Sequence, residues 1–328
     1  MADEPNNAHD SYFRHVLEKP ENAAGQLQAV MSSALVARVD WETLQLEQCN
    51  FVSSELRSRI GDLLFRARID GHEAFIYVMI EHQSQPHPLM AFRMLEYMVQ
   101  IWNRYISKHP KTNTLPAVFP LVVYVSPDGR RWNRPTQLAD LIDVDPATRA
   151  ALGDHLPSLR FLLDDLTTAD VPTLRARNLS PEAFMMLVLL AIAPGNMHLI
   201  EDLKPLDKDI EAVWSGPSGK AELQCMARYI FKVSETSEYD LVPLIEHLGP
   251  EAREIIMTTA DRLHAEGEAR AEARAVATWA DALLELLSQK FGAPTAQAIA
   301  TVRGADLDRL RVWTTRVMGA DTLDEVFQ

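Results

Sequence analysis

A chain of 328 residues with 47% hydrophobic and 24% charged content is long enough for two or more domains and a full core, which excludes global disorder. Its net charge of −14 excludes a protein that coats nucleic acid through bulk positive charge, because affinity for DNA comes largely from neutralised phosphates. The acidic start MADEPNNAHD is unlike a signal peptide, and the longest apolar run, Ala183 to Ala193, is about half the roughly 20 residues of a membrane span; Cys49 and Cys225 form no ligand pattern, so the expectation is a cytoplasmic protein with packed, reduced thiols.

In chain order, His9 to Val36 reads as helical with a break at Pro20, and Trp41 to Phe51 as extended. The stretch Arg59 to Ser84, RIGDLLFRARIDGHEAFIYVMIEHQS, then sets two strand-like apolar runs about an Asp-Gly turn. A tight hairpin centred on Asp70 and Gly71 pairs residues whose numbers sum to about 141 to 143, placing Asp62 opposite Met79 to Glu81. A loop of the longer kind faces Asp62 with Glu81, and Gln83 follows on the same face because strand side chains repeat every second residue. Facing like charges repel unless a cation offsets them, and hard oxygen ligands suit magnesium or manganese. The alternative is that both carboxylates sit at strand ends and point into water.

After a break at Pro86 and Pro88, Met90 to Ile106 has helical period, with Met90, Met94, Met98 and Ile101 in an apolar stripe that leaves Arg93, Glu96, Gln100 and Arg104 outside it. Ala117 to Val125 is a β-branched run ending at the turn Ser126-Pro127-Asp128-Gly129, so strand, helix and strand form a crossover unit closing a parallel pair. Between Gln85 and Pro135, seven Lys or Arg stand against two acids. Arg93, Arg130, Arg131 and Arg134 in that window are candidate DNA phosphate contacts, with Trp132 against sugar or base; a solvated helix face and a basic loop explain the same residues without DNA.

Further on, Leu138 to Ile142 and Pro146 to Leu152 suggest short helices, Ser158 to Leu166 an extended segment ending in Asp164 and Asp165, and Pro181 to Ala193, Ala221 to Ser234 and Asp240 to Leu248 helices packed as a bundle. Glu251 to Phe291 lacks proline and carries repeated Glu-Ala-Arg triplets, the composition of a solvated helix stabilised by Glu to Arg pairs, and reads as a connector or self-association stalk. The remainder has the pattern of three short helices broken at Gly292, Gly304 and Gly319. The expected organisation is a core over 1–135, a helical extension over 136–250, a connector over 251–275 and a small all-α domain over 276–328.

An α/β order of helix, three strands, helix, strand, with an acid on the second strand and E-x-Q on the third, resembles the PD-(D/E)xK nuclease core. HDSYFRHVL at His9 to Leu17, GDLLF at Gly61 to Phe65, IYVMIEHQS at Ile76 to Ser84, FRMLEYM at Phe92 to Met98 and PLVVYV at Pro120 to Val125 together resemble the Rpn family of recombination-promoting nucleases, also called YhgA-like. That resemblance implies a divalent-metal-dependent DNA endonuclease linked to recombination, mobile elements or phage defence, with Asp62 and Glu81 as ligands of Mg2+ or Mn2+ and Gln83 as a third catalytic residue. The alternative is a degenerate relative that binds DNA or a protein partner without cutting. Gln83 stands where the wider superfamily has Lys, and its amide can orient a water but supplies no positive charge. Asp10 is a further metal or supporting acid, though a short polar residue opening a helix also serves as an N-cap. His9 and His82 fit packing or hydrogen-bonding roles, and self-association through the connector or C-terminal domain is the expected assembly, with double-strand cutting by a one-site nuclease favouring a dimer.

Overall fold

The computed structural model describes residues 4–47, 62–82, 85–126 and 128–328, and the side chains of all of these but 4–7 and 80–82. Gln83, Ser84, Cys49, Pro127, residues 48–51 of the segment expected to be extended and the Arg59 to Gly61 part of the hairpin motif lie outside the described residues.

Three helices open the chain: α1 (Glu4–Leu17), α2 (Pro20–Val30) and α3 (Ser33–Val36), with Pro20 at the first position of α2, where its missing N–H costs nothing. Asp10 lies well inside α1, so it is not the cap that a helix opening near His9 predicts. Next come β1 (Val39–Glu47), β2 (Leu63–Ile69), β3 (His72–His82), α4 (Met90–Lys108), β4 (Ala117–Val125), α5 (Pro146–Leu152) and β5 (Leu162–Asp165). The strands make one sheet in sequence order, antiparallel from β1 to β3 and parallel from β3 to β5.

The β2–β3 turn is a two-residue one, with φ of +50° at Asp70 and +80° at Gly71. That conformation matches strand twist and is the reason Asp-Gly is favoured there. It fixes Leu63 against Val78 and Ile69 against His72, the 141 register. One further step sets Asp62 against Met79, so the longer-loop pairing of Asp62 with Glu81 is not the one formed.

Alternation then sorts the sheet's two faces. Leu63, Phe65, Ala67, Ile76, Val78, Leu121 and Val123 pack against α1, α2 and the later helices, while Leu64, Phe75, Tyr77, Met79, Val118 and Val122 pack against Met90, Met94, Tyr97, Met98 and Ile101 of α4. Burial on both faces explains why β3 and β4 read as continuous apolar runs rather than alternating ones.

The later helices are α6 (Val171–Arg175), α7 (Pro181–Ile192), α8 (Leu199–Leu203), α9 (Asp207–Trp214), α10 (Gly219–Val233) and α11 (Glu238–Ile245). The apolar α7 is buried from Ala183 to Leu190 and capped by Ser180, whose hydroxyl accepts from the Ala183 N–H. Among the described residues no helix is long and apolar enough to cross a membrane.

The chain divides into two compact units, residues 1–257 and 258–328. One helix, α12 (Pro250–Phe291), runs unbroken through the Glu-Ala-Arg segment, so the stretch from Trp279 to Phe291 is its last turns and not a separate helix. Beyond it α13 (Ala296–Arg303), α14 (Leu307–Val317) and α15 (Leu323–Phe327) close a small core of Leu283, Leu287, Val302, Leu310, Trp313 and Val326.

Candidate active site

Asp62 stands one residue ahead of β2, with 7% of its surface exposed. Bonds from β3 and α1 reach it, and α4 backs the first of them. From β3, the Tyr77 hydroxyl donates to Asp62 Oδ2 at 2.6 Å. From α1, Arg14 Nη1 donates to the Asp62 carbonyl oxygen at 3.0 Å. From α4, the Tyr97 ring stacks on Tyr77, centroids 4.6 Å apart, and Arg93 Nη2 donates to the Tyr97 hydroxyl at 3.5 Å. Burial first, and the Asp62 charge second, push the Tyr77 phenol well above its usual value, so it remains a proton donor at any working pH.

Asp10 precedes Arg14 by one helical turn and therefore shares the α1 face from which Arg14 reaches Asp62. Its neighbour His9 is buried, and His9 Nδ1 meets the Tyr229 hydroxyl at 2.8 Å, a packing and hydrogen-bonding role. Glu81 occupies a β3 position paired with Tyr124 of β4, four residues past Tyr77 and so in its alternation class. His82 pairs with Val125.

The ends of β3 and β4 and the start of β2 lie at one end of the sheet, and the loop after β4 leaves from that end. In it Ser126 Oγ accepts from the Arg130 N–H at 3.2 Å. Arg130 and Arg131 are exposed, and Arg134 is half-buried. Trp132 is half-buried, packs in T-shaped contacts with Tyr124 and Phe161, and donates from Nε1 to the Arg134 carbonyl at 2.6 Å. Asp165 accepts the Trp132 N–H at 2.8 Å and also caps the short 3-10 turn after β5, while Asp164 takes a two-point contact from Arg177 at 2.7 and 2.8 Å. Both acids are structural in these contacts.

Sequence reasoning missed Tyr77, Tyr97 and Arg14. A readable signal existed for the tyrosines: each sits on a buried apolar stripe, where a phenol needs an acceptor, and Asp62 is the nearest acid in the hairpin register. Oxygen donors at this end of the sheet suit a hard cation, but among the described residues no three His, Cys, Asp or Glu gather to hold one.

The chain is 28% identical over 263 residues to the recombination-promoting nuclease RpnA of Escherichia coli strain K12, covering 79% of this chain and 84% of that protein. It is 26% identical over 259 residues to the recombination-promoting nuclease RpnD of Escherichia coli O157:H7, covering 78% and 94%. It is also 26% identical over 261 residues to RpnE of strain K12, described as an inactive recombination-promoting nuclease-like protein, covering 79% and 82%. No solved structure matches the chain. The model of the family described as "Putative transposase, YhgA-like" matches residues 7–214, from α1 through α9 and hence every element around Asp62, and the chain belongs to that family.

Proposed function

We propose that this chain is a divalent-metal-dependent DNA endonuclease of the PD-(D/E)xK kind with a recombination-linked role, in which Asp62 and Glu81 hold Mg2+ or Mn2+. The observation that carries the reading is the buried Asp62, whose carboxylate is held by Tyr77 and whose backbone carbonyl is held by Arg14, at the strand end where Glu81 also lies. The names of RpnA and RpnD support nuclease chemistry at the coarser level.

When bound, the metal supplies Lewis acidity to the scissile phosphate and lowers the pKa of an attacking water. Tyr77 holds Asp62 in one rotamer through Oδ2. Gln83 orients the attacking water through its amide. Arg93, Arg130, Arg131 and Arg134 hold the phosphates on either side, and Asp10 supports the site from the α1 face beside Arg14. Because Gln83 adds no charge, phosphate charge is met by these arginines and the cation together.

The relative described as inactive favours a second reading, a degenerate member that binds DNA or a partner without cutting. Digestion of supercoiled plasmid and linear duplex with magnesium, manganese, calcium or chelator separates the two. The nuclease reading expects nicking or linearisation that chelator abolishes and that Asp62→Asn and Glu81→Gln each reduce at least about 100-fold, the scale of losing a charge-stabilising group. Equal cutting by the variants, or no cutting with any metal, overturns it.

A further inference from the structure

Beyond Asp62, the α4-facing side of β2 and β3 continues into a cleft of about 310 Å³, at the small end of the range of ligand sites. Asp62, Leu64 and Arg66 alternate onto this face, so the cleft centres roughly 13 Å along the strand from Asp62. Its apolar side is Leu64, Phe75 and Ile101, with Tyr105 edge-on to Phe75 at 6.4 Å and His109 over Tyr105 at 4.3 Å.

The cleft's charges divide into two sets. Arg66 is bound by Glu47 at 3.0 Å, Glu73 at 3.4 Å and Gln45 at 2.8 Å, a closed group within the sheet. The other lining cations, Arg104 and Lys108, come from α4. They belong to one helical row, Arg93, Tyr97, Gln100, Arg104 and Lys108, spaced four, three, four and four residues apart. From the Tyr97–Tyr77 contact at Asp62 the row rises about 10 Å to Arg104 and about 16 Å to Lys108 at the cleft. A polar, cationic row beside an aromatic-walled cavity is the arrangement that follows a nucleic-acid backbone and receives a base.

We propose that this cleft is a nucleotide subsite: it takes one unstacked base of a DNA single strand against Phe75, Tyr105 and His109, with Arg104 and Lys108 on its flanking phosphates. The inference rests on the proposed DNA substrate and narrows it to strands that are single or frayed about 13 Å from the cut, since a base inside a duplex cannot reach the aromatic wall.

The test is anisotropy of a fluorescein-labelled, mixed-sequence oligonucleotide of roughly 20 residues, single-stranded or as a blunt duplex, with full-length protein in chelator so that nothing is cut. Arg104→Ala/Lys108→Ala is expected to weaken single-strand binding at least about tenfold and to flatten the slope of log K against log salt by about 1.4, two phosphates' worth. Tyr105→Leu is expected to weaken it about tenfold with the salt slope unchanged. Blunt-duplex binding is expected to change by less than about threefold in both. Single-strand binding that is absent, unchanged in the Arg104/Lys108 variant, or lost in step with duplex binding overturns the subsite. Because binding is read in chelator, without cutting, a failure of the nuclease reading, seen as no plasmid cutting, leaves the subsite result standing or falling by itself.

Discussion

The Tyr77 hydroxyl and Asp62 Oδ2 form a short bond between a phenol that stays protonated and a carboxylate buried to 7% exposure. Removing the donor leaves that oxygen without its 2.6 Å partner in a place water reaches poorly, which costs about 1.5 to 3 kcal/mol when the acceptor is charged. Tyr77→Phe is therefore expected to fold with a lower urea midpoint. If Asp62 holds the metal, the same variant raises the metal concentration for half-maximal cutting about 10- to 100-fold, the range for a lost supporting bond behind a ligand. A titration of cutting against manganese reads that shift. A second residue-scale case is Glu222 on α10, whose side chain is 3% exposed and paired with His15 and Lys19. Burial works to raise its pKa, but the hydrogen bonds from His15 and Lys19 outweigh it and hold the carboxyl below its ordinary value. A depressed folded value means the contribution is complete above the unfolded value and is lost as pH falls through the folded one. Glu222→Gln is expected to lower stability by about 1 to 3 kcal/mol at pH 7. The gap to the parent should hold down to about pH 5 and close below about pH 4 in melts across that range.

At the scale of elements, close backbone approach decides more than propensity. Gly219 opens α10, and a Cβ there would lie 1.9 Å from the Trp214 carbonyl oxygen at the end of α9, an approach no side chain survives without the two helices separating. Gly219→Ala is expected to cost at least about 2 kcal/mol, above the roughly 1 kcal/mol that helix propensity alone would return, and a denaturant midpoint measures it. Nothing local in GPSGKAEL announces this contact, because it depends on how α9 and α10 turn about Ser215 to Ser218. By contrast the β2–β3 hairpin and its Asp-Gly turn were readable, while its register was bounded only to sums of 141 to 143, because the two-residue turn that sets 141 shows itself only in the positive φ at both positions. The crossover helix and β4 were readable too, one from its 3.6-residue stripe and the other from a β-branched run ended by a Pro-Asp-Gly turn. What the pattern of residues left open was where α1 begins, since EPNNAHD carries no sharp start signal, and with it whether Asp10 caps a helix or sits on its flank. Around Asp62 the acid was legible and the tyrosines obscure: a carboxylate beside an apolar strand is visible in one dimension, whereas Tyr97 reaches Tyr77 only through a stack formed when α4 crosses β3.

At the scale of the whole chain, the two units differ in how they are held together. Residues 1–257 share large cores on both faces of the sheet, whereas residues 258–328 close their own core around Leu283, Leu287, Leu310 and Trp313. Separate cores without shared buried residues unfold as separate cooperative steps, even when one helix runs through both. Calorimetry of the full chain is therefore expected to show two transitions, the smaller carrying about 50 kcal/mol near 60 °C for a unit of 71 residues. Trp313 supplies the test of assignment, because it is 8% exposed, meets Phe327 edge-on at 4.9 Å, and belongs to the core of the smaller unit. Trp313→Ala removes about 3 to 5 kcal/mol, which is most of what a core of this size provides, so the smaller transition should vanish or move below 30 °C. The larger transition should stay within about 1 °C of its parent value, and plasmid cutting, if the chain cuts, should be unchanged at 20 °C. A single transition that Trp313→Ala shifts as a whole would mean that α12 couples the two units into one cooperative body, and the charged segment at its middle would then be transmitting stability between them.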